Sequence, residues 1–442
     1  MFTFLGIIIS TFGIGIMQLI LATAMPLIVT EIGGETLYGW VFSSYMLSSL
    51  LTIPIFSKLA DLFGKKKFYL LGLSLFAIGT FYGALAPDMV NLIVARIIQG
   101  LGAGVMTPVS IALISELFPP ERRGGMIGAF SFVQLIANLI SPILGSLITK
   151  QLGWHWIFYI TLAMVLIAII IIALDKKTIE PPIVKRLRWT EIDLFGGVLF
   201  GLFCVLIVSF SDSISKLGRF ELTGVSLLIG AIITGLILLW NESRHIDPVI
   251  KFEFFKVRVL RQSIFSSIIA GSIMYGLVTL LPLCSVIFRK YGYETEESQL
   301  LMIFMIGTTF GVLVTSRIIN RLDSRFPKFV WGLSLICAVV MYFSVSSSLF
   351  LLFNILTGLL GLSLGAIMAT LLINSQNAVN NEDRTVLSGL VQLGRYLGAS
   401  VGVTVLTGFL PEISQISNAS QILGTFGLLV GIYVLGLINE LC

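Results

Sequence analysis

The chain has 442 residues, a net charge of +5, 56% hydrophobic residues and 12% charged ones, with a mean hydropathy of +1.00. Soluble domains carry roughly 25% charged residues, about twice this share, so a soluble enzyme or a nucleic-acid binder is excluded. The apolar runs are long and uninterrupted rather than alternating, which makes the chain a helical integral membrane protein.

The first apolar run, 4–30, is too long for the core of a cleavable signal. It also lacks a basic flank and a small-residue cleavage site, and is read as a retained first span. Further runs follow at 37–56, 68–86, 89–115, 125–149, 156–174, 194–210 and 222–240. The last six are 263–287, 299–316, 329–346, 349–373, 386–410 and 423–438. That makes about fourteen spans, each near the ~20 residues a bilayer requires. The expected fold class is an all-α polytopic membrane protein.

Placing the N-terminus inside puts most of the 28 basic residues on inner connections, among them Lys65, Lys66, Lys67, Arg122, Arg123, Arg317, Arg321, Arg325 and Lys328. Lys150, Lys216, Arg219, Arg289 and Lys290 fall outside. This positive-inside bias predicts a multi-pass protein of the cell membrane with both termini cytoplasmic. The two longest inner linkers, at 175–190 and 241–261, bracket the seventh and eighth spans. The chain therefore divides into a six-helix bundle over 1–175, a linker with two additional spans over 176–257, and a second six-helix bundle over 258–442. Ser57–Lys67 (SKLADLFGKKK) has a faded echo in Ser316–Arg325 (SRIINRLDSR), which supports two related halves with a site between them.

The fourth span reads LIVARIIQGLGAGVMT, with Arg96 inside an otherwise apolar run. A cation at mid-membrane costs at least about 2.5–3.5 kcal/mol on insertion scales, so it faces protein or a wet cavity. Gln99 follows, and Gly100, Gly102 and Gly104 let neighbouring backbones come close. One reading puts Arg96 beside a polar pathway; the other has it only tie helices together through carbonyls. Arg395, about nine residues into its span, meets the same constraint.

These stretches resemble a family. Ser57–Lys67 is similar to the G-x-L-a-D-r-x-G-R-R/K motif of the major facilitator superfamily, with Leu59, Ala60, Asp61, Gly64, Lys65 and Lys66 in place, while Ser57 and Leu62 depart from it. Arg96, Gln99, Gly100, Gly102 and Ala103 match its R-x-x-Q-G-x-G-A motif. Ala137–Ser146 (ANLISPILGS) resembles the antiporter motif G-x-x-x-G-P-x-x-G-G, keeping Pro142 and Gly145. Gln392, Arg395, Gly398 and Gly402 resemble a pattern of the 14-helix drug/proton antiporter branch, as do Trp40 with Tyr45 and Trp154 with Trp156. The resemblance implies the major facilitator fold, two six-helix bundles plus two extra central transmembrane helices. It further implies proton-coupled export by alternating access, with Asp61, Gly64, Lys65, Lys66, Arg122 and Arg123 as a cytoplasmic gate. Pro142 and Gly145 mark export, and Arg96 acts on a nearby carboxyl. The two tryptophans are equally ordinary interface anchors.

One departure matters. The branch carries an acid in the first span ahead of an A-L-P sequence; here Ala24, Met25 and Pro26 follow Met17 and Gln18. No span holds a carboxylate at its middle. The nearest acids, Glu31, Glu116 and Asp193, lie at span ends, where solvation is expected; Glu31 joins Arg96 and Gln99 as the proton-coupling candidates. Gln18, Tyr45, Gln134, Asn138, Tyr275, Asn354, Gln392 and Arg395 are the candidate substrate-contacting residues. With both mid-span charges positive, neutral or anionic substrates, native metabolites, peptides or lipids among them, stand beside drug-like ones.

Cys204, Cys284, Cys337 and Cys442 have no pairing or metal-binding spacing, and His155 and His245 offer no zinc pattern. No G-x-x-x-x-G-K-S/T loop occurs, which removes ATP-driven transport, and no interfacial cluster of catalytic acids or histidines points to an enzyme. The expected partners are a small-molecule substrate, protons and the lipid bilayer, with no cofactor, no metal and no nucleic acid, in a monomer.

Overall fold

The computed structural model describes residues 2–175, 193–217, 222–244, 253–290, 298–319, 325–346, 349–379, 384–409 and 422–441. The helices of the first half are α1 (Phe2–Ile32), α2 (Tyr38–Phe63), α3 (Lys65–Ala84), α4 (Met89–Leu117), α5 (Pro120–Leu152) and α6 (His155–Leu174). Next come α7 (Leu194–Leu217), α8 (Leu222–Glu242) and the single turn α9 (Glu253–Lys256). The chain continues with α10 (Arg258–Lys290), α11 (Gln299–Ile318), α12 (Phe326–Ser346), α13 (Phe350–Asn377), α14 (Arg384–Gly408) and α15 (Leu423–Leu441).

Among the described residues, 12 helices are long and apolar enough to cross a membrane, against the fourteen spans expected. Those 12 do not include α2 and α14, which have spanning length at 26 and 25 residues. The lipid-facing character is plain in α6 and α8, which expose Ile167, Ile170, Ile232, Leu236 and Trp240. A helix can do this because all its backbone bonds close internally.

The chain forms two compact units, Met1–Ile207 with Ser226–Ile250, and Val208–Val225 with Lys251–Cys442. In the first, α1 packs on α5 and α6, α4 on α2 and α3, and α3 on α6. In the second, α10 packs on α14 and α15, α13 on α11 and α12, and α12 on α15. These five pairings correspond between the units, so the internal symmetry that the two motif loops hint at has a counterpart in the packing within each unit.

Glycine backbones set the closest crossings. An added Cβ at Gly104 would lie 2.3 Å from the Ser49 carbonyl, and at Gly102 2.4 Å from that of Gly72. In the second unit, Gly307 and Gly311 meet the carbonyls of Gly358 and Leu362, and Gly361 and Gly365 those of Phe304 and Thr308. Lipid tails are as apolar as the side chains, so such close contact, rather than exclusion from water, drives association. Hydroxyls add bonds between helices: Ser49 Oγ donates to the Gly100 carbonyl at 3.1 Å in the α2–α4 seam, and Ser10 and Tyr69 share a 2.8 Å bond between α1 and α3.

Candidate functional site

Arg96 sits two turns into the 29-residue α4 with no exposed surface. Its Nε donates to the Val41 carbonyl of α2 at 3.2 Å, and its Nη1 donates to Gln99 Oε1 at 2.8 Å. The guanidinium lies 4.0 Å from the centre of the Tyr45 ring, a cation–π contact that strengthens where water is excluded. Gln99 Nε2 donates in turn to Thr80 Oγ1 at 2.9 Å, and Thr80 to the Phe76 carbonyl at 2.7 Å. The cluster thus knits α2, α3 and α4, and Gly79 and Gly100 make room for it. One arm, Nη2, is buried with no partner among the described residues.

The helix-tying reading of Arg96 is therefore part of the picture, through the Val41 carbonyl, but it leaves one donor unspent. No carboxylate is among Arg96's contacts in the described residues. Glu31 lies exposed at the end of α1, where Oε2 accepts a 2.9 Å bond from Trp154 Nε1. Trp154 itself is wholly buried and stacked on His155. It is thus a packed residue clamped to Glu31, whereas Trp156 is exposed.

The gate motif divides. Gly64 takes φ +101 between α2 and α3, a conformation a side chain disfavours, and its N–H donates to the Ala60 carbonyl. The side chain of Asp61 lies outside the described residues. Lys65 forms an ion pair with Glu116 at the end of α4, both partly buried. Lys66 donates to the Asp175 carbonyl oxygen. The Asp175 carboxylate accepts from Thr3 N at 2.9 Å and Thr3 Oγ1 at 2.8 Å, capping the free N–H groups that open α1. Arg122 and Arg123 are exposed, and Arg123 Nε donates to the Phe118 carbonyl at the end of α4.

On α5, Gly145 presses on Thr23 and the Ile20 carbonyl of α1, and Pro142 lies inside the helix. Gln18, Gln134 and Asn138 are half-buried, and Asn138 Oδ1 has no partner among the described residues. In the other unit, Tyr275 is buried in α10 and Asn354 is half-buried in α13 with Oδ1 unpartnered. Arg395 is half-buried, its Nη2 donating to Gln392 Oε1 one turn back, its Nε buried and unpartnered.

Several polar residues escaped the sequence. Thr80 and Val41 join the Arg96 cluster through partners 19 and 55 residues away. Asp193 is not solvated: at 4% exposure it accepts from Gly196 N at 2.7 Å and from Asn241 Nδ2, joining the start of α7 to the end of α8. Glu440, nearly buried in α15, accepts a 2.9 Å bond from Ser266 of α10. Cys204, Cys284 and Cys337 are buried and unpaired, as expected of packing residues; Cys442 lies outside the described residues. No group that could hold a metal occurs among the described residues.

Comparison with known proteins supplies the context. The Major Facilitator Superfamily model matches residues 3–403. "Multidrug resistance protein 3" of Bacillus subtilis (strain 168) is 30% identical over 325 residues, 71% of this chain and 60% of that protein. "Multidrug transporter protein MdtP" of the same organism is 28% identical over 414 residues, 91% of this chain and 73% of its own length. So the chain spans less than two thirds of the first of these relatives. Among solved structures, the peptide transporter POT in complex with sulfate superposes with a TM-score of 0.70 at 16% identity, covering 98% of this chain and 93% of that one. A D-xylose-proton symporter gives 0.68 at 12%, covering 99% and 96%. At these identities the structures show the fold alone.

Proposed function

The chain belongs to the Major Facilitator Superfamily, a family of membrane transporters and not enzymes, and from that premise we propose a proton-coupled exporter of small amphipathic or drug-like compounds working by alternating access. The observation that carries the proposal is Arg96: a fully buried cation, held by Val41, Gln99 and Tyr45, with one N–H donor unused. A buried unsatisfied donor costs about 1–3 kcal/mol, a cost relieved in any conformation that brings it an acceptor. Protonation of a carboxyl, or arrival of a substrate's oxygen, then shifts the balance between conformations through differential binding. In this proposal Gln99 positions the guanidinium, Glu31 is an end-of-span carboxylate on the proton's path, and Gln18, Tyr45, Gln134, Asn138, Tyr275, Asn354, Gln392 and Arg395 line the substrate's route. Asp61, Gly64, Lys65, Lys66, Arg122 and Arg123 form the cytoplasmic gate, while Pro142 and Gly145 shape the α1–α5 seam.

The proposed topology has fourteen spans in a monomer of the cytoplasmic membrane, with both termini inside. Helices α7 and α8 are the pair inserted over 176–257 between bundles at 1–175 and 258–442. The names of the two Bacillus relatives support drug efflux. A second reading, export of a neutral or anionic native compound, is favoured by the positive sign of both mid-span charges, Arg96 and Arg395.

Reconstituted protein tests the proposal. With an imposed proton gradient, substrate should accumulate, and a protonophore should abolish that accumulation. Accumulation insensitive to the gradient would refute proton coupling. A panel of cationic, neutral and anionic compounds separates the two substrate readings.

A further inference from the structure

Within the second unit, a cavity of about 520 Å³ opens at the end where α10 and α12 begin and α13 and α15 finish. Pockets of about 300–1,000 Å³ are of ligand size. Arg258, Arg325 and Lys328 line it and are exposed, whereas Trp331 and Glu440, which also line it, are almost fully buried. Among the described residues none of the three cations forms a hydrogen bond or a close ion pair, though Lys328 lies within electrostatic reach of the Glu440 carboxylate. Trp331 Nε1, at 0% exposure, neighbours the Glu440 carboxylate but meets no partner at hydrogen-bond geometry. Glu440 is already engaged by Ser266, at 2.9 Å.

Charge balance decides what such a cavity takes. Among the described residues three cationic side chains and one carboxylate line it, and the N-termini of the 33-residue α10 and the 21-residue α12 lie at the same end. The C-terminal ends of α13 and α15 offset these about equally, so the side chains decide the balance. Arginine forks, a flexible lysine and a buried indole N–H are the donors that phosphate oxygens bind. We propose that this cavity binds a phosphate-bearing anion, either a lipid headgroup at the membrane interface or a soluble phosphate. The site is separate from the Arg96 cluster, and its occupancy depends neither on the direction of transport nor on the coupling ion.

The test uses the purified full-length protein and the double variant Arg325→Gln with Lys328→Gln, two exposed positions whose change leaves packing intact. Inorganic phosphate, titrated at constant ionic strength against chloride, should raise the melting temperature of the native protein saturably. The double variant should need at least about tenfold more phosphate, and the exchange variant Arg325→Lys with Lys328→Arg should recover most of the effect. In nanodiscs, greater stabilisation by phosphatidylglycerol than by phosphatidylcholine, lost in the double variant, identifies a lipid-borne phosphate. Stabilisation by inorganic phosphate alone identifies a soluble one. If phosphate acts no more than chloride and phosphatidylglycerol no more than phosphatidylcholine, or if the double variant responds as the native protein does, the proposal is overturned.

Discussion

Arg96 and Arg395 pose the same physical problem and solve it differently. Each is a cation within a helix of membrane-spanning length, and each has a glutamine one turn away on its own helix, Gln99 after Arg96 and Gln392 before Arg395. Arg96 goes further. Its Nε reaches another helix at Val41, its ring contact is Tyr45, and Gln99 passes the network on to Thr80 of a third helix. Arg395 is bonded within α14 and stays half-exposed. A cation tied to three helices passes any change at its unused donor to all of them, whereas one tied to its own helix answers locally. Position in the membrane alone does not reveal which is which.

Substitution of the two arginines is the sharpest way to break this contrast. Arg96→Ala should lower unfolding stability by about 1–3 kcal/mol, through the unmet Gln99 Oε1 and the lost contact with Tyr45, while Arg395→Ala, whose side-chain bond stays within α14, should cost less than about 0.5 kcal/mol. Denaturant unfolding in detergent measures both, and equal costs would remove the distinction. Glycine replacement should come next in size and should be symmetric. Gly104→Ala would place a Cβ 2.3 Å from the Ser49 carbonyl, and Gly398→Ala 1.8 Å from that of Ile268, so each should cost about 1–3 kcal/mol by overpacking. Gly389→Ala, with open space around it, is the neutral control. An effect below that of overpacking belongs to the Lys65–Glu116 pair, each side chain 18% exposed. A double-mutant cycle there should give about 0.2–1 kcal/mol, falling as salt rises. A value near zero at low salt would reduce the pair to a topological marker.

Much of the architecture was legible from residues, for a physical reason in each case. Arg96 and Gln99 stand out because hydrocarbon cannot hold a lone cation, and Gly100, Gly102 and Gly104 because only small residues allow backbones to touch. Gly307 and Gly311 in α11, with Gly358, Gly361 and Gly365 in α13, carry the same small-residue signal without a charged residue beside them to mark it. The repeat of helix pairings was foreshadowed by the two loops at 57–67 and 316–325. Long-range partners were not legible. Nothing local to Glu31 points to Trp154, or to Glu440 points to Ser266, 174 positions earlier. Asp193 was expected to be solvated at a span end, yet the end of α8 folds back to bury it against Asn241. The fourteen spans counted from apolar runs compare with 12 qualifying helices; α2, with serines at 43, 44, 48 and 49, and α14, with Gln392 and Arg395, have the length but are not among the 12.

The most direct test of the central claim is substrate flux in proteoliposomes bearing native protein or Arg96→Ala, each with and without an imposed proton gradient. The account predicts that the variant still binds substrate and inserts normally but loses gradient-driven accumulation, as the native protein does when the gradient is collapsed. Undiminished gradient-driven accumulation by Arg96→Ala would contradict it.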